Sequence, residues 1–328
     1  MTQTPRIHGG PDALGAPRYD FSTNSNATGP CPQALAAVQA ADATRYPDAS
    51  YTVLRAALAD FYAVAPWRIV LAGSASEFIF RITAWARQQG ARTVSLPTHA
   101  YGDYAHAAQA WGLAVAEEGV LADLVWACEP SSPLGQAHSP LLTRVHGTVV
   151  LDSAYAPLRL AGQPTLIEGQ RQQLWQLFSP NKALGLTGVR AAFAIAPLGA
   201  EAAVQQLEAL ASSWVLGAHG AAMLLAWTQP YTQAWLQVSL HTLADWKQRQ
   251  TDLLHAAGWT LQASETPFFC ARPRAGVDAV ALCATLRAQG IKLRDATSFG
   301  LPGWVRLGVL PPAAQDAFAS ALTLKVFV

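Results

Sequence analysis

The sequence of 328 residues has few charged residues and no clustered cysteines or histidines. Its four cysteines include no C-x-x-C pair and its eight histidines form no H-E-x-x-H pattern. We therefore expect reduced thiols and no metal site. Charged residues make up only 13% of the chain and the formal net charge is +1, without a basic block. This composition argues against a nucleic-acid-binding face.

Targeting segments are also missing from the sequence. No apolar run reaches the length that a membrane helix requires. The first ten residues, MTQTPRIHGG, lack the basic and then apolar pattern of a signal peptide. We therefore expect a cytoplasmic protein without membrane contacts. Because 51% of the residues are apolar, a chain of this length can bury one large core and a second, smaller one.

Short apolar runs alternate with helical stretches from about residue 66 onwards. The runs that we predict as strands are 68–72, 93–96, 123–127, 148–151, 174–178 and 191–196. This alternation predicts an α/β fold with three layers, in which a mostly parallel sheet carries helices on both faces. No G-x-G-x-x-G follows a predicted strand, so a dinucleotide-binding dehydrogenase is a less favoured alternative.

The pattern changes after Pro197. Two long helical stretches, 201–227 and 231–257, precede a smaller α+β region. The predicted elements of that region are strands at 259–263, 268–272, 291–294 and 304–309 and a helix near 277–289. We therefore predict an N-terminal arm at 1–45, a large cofactor-binding domain at 46–200, and a bridging helix with a small C-terminal domain at 201–328. The arm is expected to lie across both domains.

The strongest functional signal is the stretch SPNKALGLTGVR, which runs from Ser179 to Arg190. Lys182 lies in a turn of small residues directly after one apolar run, and Arg190 opens the next. The lysine amine could form a Schiff base with an aldehyde cofactor, whose phosphate would need hydroxyls and a cation nearby. An ordinary turn with one surface lysine and one surface arginine remains an alternative.

Two further groups fall at the carboxyl ends of predicted strands, where parallel sheets bind their ligands. Asp152 ends one strand and Tyr155 follows it; the carboxylate could keep the ring nitrogen of pyridoxal phosphate protonated, and the phenol could bond to its 3′ oxygen. Gly73-Ser74-Ala75-Ser76 would present N–H groups and hydroxyls to an anion at a helix start. A turn-capping aspartate and a plain helix cap remain open as alternatives.

Taken together, these residues resemble the fold-type I pyridoxal-phosphate enzymes of the class I/II aminotransferase superfamily. The shared marks are D-x-A-Y at 152–155, S-x-x-K-(x7)-R at Ser179, Lys182 and Arg190, and the helix start at 73–77. The resemblance covers nearly the whole chain and includes Tyr46. It implies pyridoxal 5′-phosphate as the cofactor, and a homodimer in which Tyr46 reaches the cofactor phosphate of the neighbouring subunit.

Two terminal motifs narrow the resemblance. The opening, HGG from His8 and DFSTNSN at 20–26, is similar to that of the L-threonine-O-3-phosphate decarboxylase group of cobalamin side-chain synthesis. The closing motif at 290–308, which contains FGLPGWVRLG, is similar to that group and also to the histidinol-phosphate aminotransferases. The resemblance thus implies a decarboxylase of phosphothreonine or, alternatively, an aminotransferase on a phosphorylated or aromatic amino acid.

The same resemblance assigns roles to individual residues. It makes Lys182 the Schiff-base lysine and places Asp152 and Tyr155 with it in catalysis. The implied cofactor contacts are Gly73, Ser74, Ala75, Tyr101, Ser132, Asp152, Tyr155, Ser179, Lys182, Arg190 and Tyr46. The implied substrate contacts are Arg306, Arg294, Asn26 and His8. Among these, Arg306 would clamp the substrate carboxylate, for which a bidentate guanidinium is well shaped.

One motif departs from the family pattern. The usual N-P-x-N-P-x-G is replaced by EPSSPLG, which begins at Glu129, so Ser132 stands where an asparagine normally donates to the 3′ oxygen. Its shorter side chain would need a bridging water, or Tyr155 would act alone. These changes leave open a non-catalytic relative that binds a ligand or partner, although the retention of Lys182 and Asp152 argues against it.

The residue that stacks on the cofactor ring has two candidates. His99 follows Pro97-Thr98 directly, whereas Tyr101 matches the surrounding pattern better if two residues are inserted. We expect Tyr101 to stack, because a phenol ring does so without the titration of an imidazole.

Overall fold

The computed structural model describes residues 8–117, 120–137 and 147–323. Its strands are β1 (Tyr19–Asp20), β2 (Ile69–Ala72), β3 (Thr93–Ser95), β4 (Ala114–Val115), β5 (Leu124–Cys128), β6 (Thr148–Asp152), β7 (Trp175–Phe178), β8 (Ala192–Ile195), β9 (Thr260–Leu261), β10 (Phe268–Arg272), β11 (Ile291–Lys292), β12 (Arg294–Asp295) and β13 (Val305–Gly308). Its α-helices are α1 (Pro32–Gln39), α2 (Thr52–Tyr62), α3 (Ala75–Gln88), α4 (Gly102–Ala110), α5 (Glu168–Arg171), α6 (Glu201–Ala209), α7 (Ala218–Trp227), α8 (Pro230–Ala256), α9 (Ala279–Ala288) and α10 (Pro312–Thr323).

The large domain is built on one sheet, whose strand order within the described residues is β2-β8-β7-β6-β5-β3-β4. The strands from β3 to β7 pair in parallel, whereas β8 runs antiparallel to both of its neighbours, β7 and β2. In register, Ala72 faces Ala192 and Phe178 faces Phe193. The start of β8 therefore lies at the same sheet edge as the carboxyl ends of β2, β6 and β7. The predicted mostly parallel α/β fold is confirmed.

Helices cover both faces of this sheet, which gives three layers. Strand β2 shows why, because its side chains alternate between two separate cores. Ile69 and Leu71 pack against α1, α2 and α7 on one face, while Val70 and Ala72 pack against α3, α4 and α6 on the other. A strand buried on both faces has an uninterrupted apolar sequence, as β2 does.

Helix α3 begins as its sequence predicts. The Ser74 hydroxyl accepts a hydrogen bond from the Glu77 N–H at 3.0 Å. The Glu77 carboxylate in turn accepts from the Gly73 N–H at 3.1 Å. Gly90, with a φ of +97°, follows the end of the helix. The local signals of this segment therefore position its N-terminus at the carboxyl end of β2.

The predicted helix at 201–227 is wrong in one respect, because the structure divides it into α6 and α7. Between them, Trp214 has a φ of +51°, a left-handed conformation that cannot continue a right-handed helix. Its indole N–H donates to the Pro47 carbonyl at 3.1 Å, and its ring stacks on Tyr46. These tertiary contacts stabilise the break, which helical periodicity alone does not predict.

The N-terminal region is more regular than its sequence suggests. We expected little periodic structure at 1–45, yet the described part contains β1 and α1. Strand β1 pairs in parallel with β11 of the small domain, and the Gly308 N–H donates to the Phe21 carbonyl at 2.7 Å. On the other side, the Asn26 N–H donates to the Lys182 carbonyl at 2.9 Å. The segment thus contacts both the small-domain strand β11 and the loop that carries Lys182.

The small domain is centred on an antiparallel sheet with the order β12-β13-β10-β9. Its core includes buried residues from α9, α10 and the end of α8, together with Phe21 from the N-terminal segment. Helix α8 joins the two domains, since Leu243 packs in the core of the large domain and Leu254 in that of the small one. Within residues 8–117, 120–137 and 147–323, no helix combines the length and apolarity needed to cross a bilayer.

Candidate active site

A cavity of about 590 Å³ lies at the sheet edge where β5, β6 and β7 end and α3 and α4 begin. Three parts of the chain contribute to its walls. The large domain supplies Ala75, Ser76, Tyr101, Ser132, Asp152, Tyr155, Ser179, Lys182 and Arg190; the small domain supplies Arg294 and Arg306; the N-terminal segment supplies His8, Gly9 and Asn24. Most of the residues predicted as site residues are therefore brought together.

Asp152, at the end of β6, is a buried carboxylate with two fixed donors. One oxygen accepts from the Tyr104 hydroxyl at 2.7 Å and the other from the Ala154 N–H at 2.9 Å. Burial raises the pKa of Asp152, and the two hydrogen bonds and the nearby Lys182 oppose that rise. A buried carboxylate that these hydrogen bonds hold in one orientation at the cavity wall would stabilise a positively charged group of a ligand.

Tyr104 and Cys128 are the neighbours of Asp152 that sequence reasoning missed. The Tyr104 ring is fully buried and stacks on Trp126, with ring centroids 4.5 Å apart. Burial, followed by the charge of Asp152, raises the pKa values of both the Tyr104 phenol and the Cys128 thiol. Both groups therefore remain protonated, which leaves Tyr104 as a hydrogen-bond donor to the carboxylate.

Lys182 lies in the loop after β7 and borders the cavity. Its Nζ is 3.4 Å from the Ser179 hydroxyl and 5.5 Å from the centre of the Tyr155 ring. Burial lowers the pKa of Lys182, Arg190 lowers it further, and Asp152 opposes both effects. The surroundings thus increase the fraction of the amine that is unprotonated and able to act as a nucleophile.

Tyr155 faces Lys182 from the loop after β6. Its hydroxyl accepts from the Asn24 side chain at 3.4 Å, and its ring packs edge-on against Phe268. Burial raises the pKa of the Tyr155 phenol, which Arg306 partly offsets. Tyr155 therefore retains a proton that it can donate to a bound group.

The start of α3 divides the predicted anion-binding residues into two kinds. Ala75 and Ser76 line the cavity, whereas Gly73 and Ser74 do not. Gly73 and Ser74 are occupied instead by the hydrogen bonds to Glu77 that begin the helix. At this end of the cavity, the first two residues of α3 therefore form the wall, whereas we expected Gly73 and Ser74 to take part as well.

The small domain contributes two buried guanidinium groups, which lie over the same ring. Arg294 is 4.7 Å and Arg306 is 5.5 Å from the centre of the Phe299 ring. Arg306 donates to the Ser22 carbonyl at 2.8 Å, while its buried Nε has no hydrogen-bond partner among the described residues. Burial, followed by the charge of Arg306, lowers the pKa of Arg294 to about 10. The two positive charges therefore repel each other, and a bound anion would reduce that repulsion.

Asn26, predicted to contact the substrate, lies outside the cavity lining. Its amide donates to the Ala183 carbonyl at 3.0 Å and to the Ser239 hydroxyl at 2.8 Å, and its oxygen accepts from Thr28. Asn24, two residues earlier, lines the cavity instead, and its buried Oδ1 has no partner among the described residues. Both asparagines belong to the same DFSTNSN motif. The sequence of this motif does not show that Asn24 lines the cavity whereas Asn26 holds neighbouring segments of the fold together.

Tyr46 and His99 also lie outside the cavity lining. Tyr46 is 76% exposed and stacks on Trp214, with ring centroids 4.3 Å apart. The His99 Nδ1 lies 2.7 Å from the Phe299 carbonyl oxygen. Tyr101 is the member of the His99/Tyr101 pair that borders the cavity, and its stacking on the cofactor ring stays a prediction.

Glu129, which departs from the family pattern, takes part in an ion cluster between the domains. Glu129 accepts from Arg159 at 2.9 Å and from the Thr165 N–H at 2.8 Å. Arg159 also forms an ion pair with Glu265 of the small domain. We call Glu129, Arg159 and Glu265 the Arg159 cluster. Since Glu129 is turned away from the cavity, its presence does not indicate a degraded site.

The groups that line the cavity suit reactions of carbonyl compounds and the binding of anions. Among the residues whose placement is described, no group of three or more His, Cys, Asp or Glu side chains could hold a metal ion. The cavity instead combines an amine with a lowered pKa, a buried carboxylate, a protonated phenol and a helix N-terminus. Such a set can react with a carbonyl group, stabilise a cationic nitrogen and bind an anion.

Comparison with known proteins agrees with this geometry. The sequence model of the family described as "Aminotransferase class I and II" matches residues 17–322. Histidinol-phosphate aminotransferase 2 of Burkholderia mallei is 26% identical, and the alignment covers 97% of this chain and 95% of that protein. The aromatic amino acid aminotransferase of Rhodococcus opacus is 29% identical, with 92% and 89% covered.

Solved structures show the same fold. Histidinol-phosphate aminotransferase from Sinorhizobium meliloti, crystallised with pyridoxal-5′-phosphate, has a TM-score of 0.79 at 22% identity and covers 97% of this chain and 94% of its own. L-threonine-O-3-phosphate decarboxylase from Porphyromonas gingivalis has a TM-score of 0.74, also at 22% identity, with 92% and 97% covered.

Proposed function

The chain belongs to the class I and II aminotransferase family, and from this premise we propose a pyridoxal 5′-phosphate-dependent enzyme that acts on a phosphorylated amino acid. The favoured reaction is decarboxylation of L-threonine-O-3-phosphate, a step of cobalamin biosynthesis. One observation carries the proposal: Lys182, Asp152 and the two arginines of the small domain border a single cavity that the N-terminal segment also lines.

The residues of the cavity fit pyridoxal 5′-phosphate as the cofactor. When bound, it supplies an aldehyde that combines with amines and a protonated ring that withdraws electrons from the attached carbon. Lys182 has the lowered pKa that suits the nucleophile. Asp152 offers a buried carboxylate for a cationic ring nitrogen, and its orientation is fixed by Tyr104 and Ala154.

Two positions are suited to the phosphate and the 3′ oxygen of the cofactor. The N-terminus of α3, at Ala75 and Ser76, together with Ser179 and Arg190, would hold the phosphate. Tyr155, with its protonated phenol, would donate to the 3′ oxygen, and the buried Ser132 also lines the cavity. In this assignment, the helix N-terminus and Arg190 face the negatively charged phosphate, and the Tyr155 hydroxyl donates to an acceptor oxygen.

The substrate side of the cavity is suited to two anionic groups. Arg294 and Arg306 lie over the same ring, and Arg306 has an unused buried N–H. L-threonine-O-3-phosphate carries both a carboxylate and a phosphate, whereas histidinol phosphate carries only the phosphate. His8, from the N-terminal segment, borders the same cavity and would contact the phosphate. The pair of guanidinium groups therefore favours the phosphorylated amino acid.

When bound, the cofactor would accept the electrons of whichever Cα bond is broken, so the orientation of the substrate decides the reaction. If Arg306 held the carboxylate in the position from which it can leave, carbon dioxide would be released. If Arg306 held the carboxylate elsewhere, Lys182 would take the proton from Cα and pass it to the cofactor, so that the amino group would be transferred. The second course is transamination of a phosphorylated or aromatic amino acid, which the names of the curated relatives favour as an alternative.

The cofactor is tested by the absorbance spectrum of the purified protein. We expect a yellow band near the edge of the visible range that borohydride bleaches and that Lys182→Ala abolishes. Arg171→Ala, which changes a partly exposed arginine that pairs with Glu168 and lies outside the cavity lining, should leave the band intact. A wild-type protein that shows no such band after incubation with pyridoxal 5′-phosphate would contradict the proposal.

The reaction is tested with O-phospho-L-threonine in the presence and absence of a 2-oxo acid. Release of carbon dioxide without the 2-oxo acid supports the decarboxylase. Amino transfer that requires the acceptor supports the aminotransferase instead. Histidinol phosphate and phenylalanine, each supplied with the same acceptor, then identify which class of amine is used.

We also propose that the enzyme is a cytoplasmic homodimer in which Tyr46 completes the site of the neighbouring subunit. Two observations support the dimer. Tyr46 lies outside the cavity of its own chain, and its largely exposed ring is held in place by Trp214. An ordered, exposed aromatic pair of this kind is typical of a protein interface.

A further inference from the structure

The aromatic wall of the cavity is held by a carboxylate that the family motifs do not assign. We propose that Asp103 is a positioning residue that fixes the ring of Tyr101 against the ligand. The inference rests on the proposed function in one respect, namely that the ligand is pyridoxal 5′-phosphate. Asp103, Tyr101 and Ser76 all border the cavity, and Asp103 is only 5% exposed.

The Tyr101 hydroxyl joins the beginnings of two helices. It lies 2.9 Å from the Asp103 carboxylate in the first turn of α4 and 3.2 Å from the Ser76 hydroxyl in the first turn of α3. Tyr101 is itself the residue that precedes α4. The ring is therefore tied at its hydroxyl end and at its backbone, which leaves one orientation at the cavity wall.

The direction of these hydrogen bonds follows from the chemistry of the groups. A carboxylate only accepts, so the single phenolic proton of Tyr101 is donated to Asp103. The Ser76 hydroxyl must then donate to the phenol oxygen. Burial and the neighbouring Asp103 raise the pKa of Tyr101, so the phenol keeps the proton that this chain requires.

This chain of hydrogen bonds has a consequence for anion binding at α3. Because the Ser76 proton is committed to Tyr101, an anion at the start of the helix has to be held there by backbone N–H groups. His106 does not compete for Asp103, since its Nδ1 lies 3.6 Å from the carboxylate, beyond hydrogen-bond length. Asp103 thus links the orientation of the ring to the arrangement of the phosphate end.

An acid in the first turn of a helix can also act simply through the helix dipole. Glu201 offers the matched comparison, because it occupies the first turn of α6 and is exposed. If Asp103 served only its own helix, replacing it should have the same effect whether or not Tyr101 carries a hydroxyl. If it positions Tyr101, the effect should depend on that hydroxyl.

A double-mutant cycle on cofactor binding separates these two roles. The dissociation constant of pyridoxal 5′-phosphate is measured by absorbance for the wild type, Asp103→Ala, Tyr101→Phe and the double variant. We expect Asp103→Ala to weaken binding about tenfold in the wild type but less than about twofold when Tyr101 is already phenylalanine. Asp103→Asn, which keeps an acceptor oxygen, should restore binding to within about threefold of the wild type.

Equal losses in both backgrounds, or an equal loss in Glu201→Ala, would overturn the proposal. If the wild type binds no cofactor, the proposed function fails, but the role of Asp103 remains testable. Near-ultraviolet circular dichroism of the ligand-free protein identifies the contribution of the Tyr101 ring as the signal missing from Tyr101→Phe. Removing the Asp103 carboxylate should weaken that signal, because the ring loses its fixed orientation, and an unchanged signal would refute the inference.

Discussion

Lys182 must react as a free amine, and its surroundings favour that form. Burial and the positive charge of Arg190 lower the pKa of Lys182, while the Asp152 carboxylate partly restores it. Arg190 therefore has two separable effects in the proposed mechanism. It would bind the cofactor phosphate, and it disfavours protonation of the lysine.

Arg190→Gln is expected to raise the pKa of Lys182, because a positive neighbour is removed. The unprotonated fraction at neutral pH then falls, and the pH at which the amine becomes half-reactive moves upward. The measurement is the pH dependence of the rate at which unphosphorylated pyridoxal reacts, since that probe lacks the phosphate that Arg190 would bind. Arg171→Gln serves as the control, and a midpoint that stays in place or moves downward would contradict this explanation.

Residues that act through local sequence could be predicted, and residues that act through tertiary contacts could not. Lys182 could be predicted because it lies in a turn of small residues directly after an apolar run. Asp152 could be predicted because it ends an apolar run that reads as a strand. Tyr104 reads only as an aromatic residue in a helical stretch, because its partner, Asp152, is 48 positions away. Asn24 and Asn26 share one motif, and only the folded chain separates their roles.

At the scale of elements, the Arg159 cluster connects the loop after β5 with the segment that enters β10. Glu129 is only 3% exposed at its side chain, so it depends on its partners for charge compensation. Arg159 supplies that compensation and reaches Glu265 on the other domain. The cluster thus provides an ionic contact between domains that are also joined through α8.

Arg159→Met should lower the free energy of unfolding by about 3 kcal/mol, because it leaves the buried Glu129 carboxylate without a cation. Urea unfolding followed by circular dichroism measures the change. Arg171→Met removes an exposed pair with Glu168 and should cost less than about 1 kcal/mol. Equal losses in the two variants would show that the Arg159 cluster is no more than a surface pair.

Elements with a strong local period could be predicted, whereas short or interrupted ones could not. Strands β5 and β6 and helix α3 follow from apolar runs and a helix cap. The two residues of β1 contain no period to recognise, and they pair with β11 more than 270 positions away. The break between α6 and α7 likewise depends on the contact of Trp214 with Pro47.

At the scale of the whole molecule, the proposed dimer predicts complementation between two defective chains. Lys182→Ala and Tyr46→Ala should each be nearly inactive alone. A mixed dimer would contain one site with both native residues, since Lys182 and Tyr46 come from different subunits. Unfolding and refolding an equimolar mixture should recover about one quarter of the wild-type activity, because random pairing makes half of the dimers mixed.

The recovered activity is measured against each variant refolded alone, and sedimentation confirms the dimeric state. The double variant Lys182→Ala/Tyr46→Ala, refolded with the wild type, provides a matched mixture in which mixed dimers contain no intact site. A mixture of the single variants that regains nothing while the protein sediments as a dimer would rule out the sharing of Tyr46.

The insertion of Phe21 into the core of the small domain has a consequence for biosynthesis. The segment around Phe21 leaves the ribosome long before the small domain that it completes. Folding of the small domain must therefore wait until α10 has been synthesised, and the early segment has to remain available until then. A fragment that begins after α8 should emerge as an aggregation-prone product, and supplying residues 8–24 as a separate peptide should rescue its solubility.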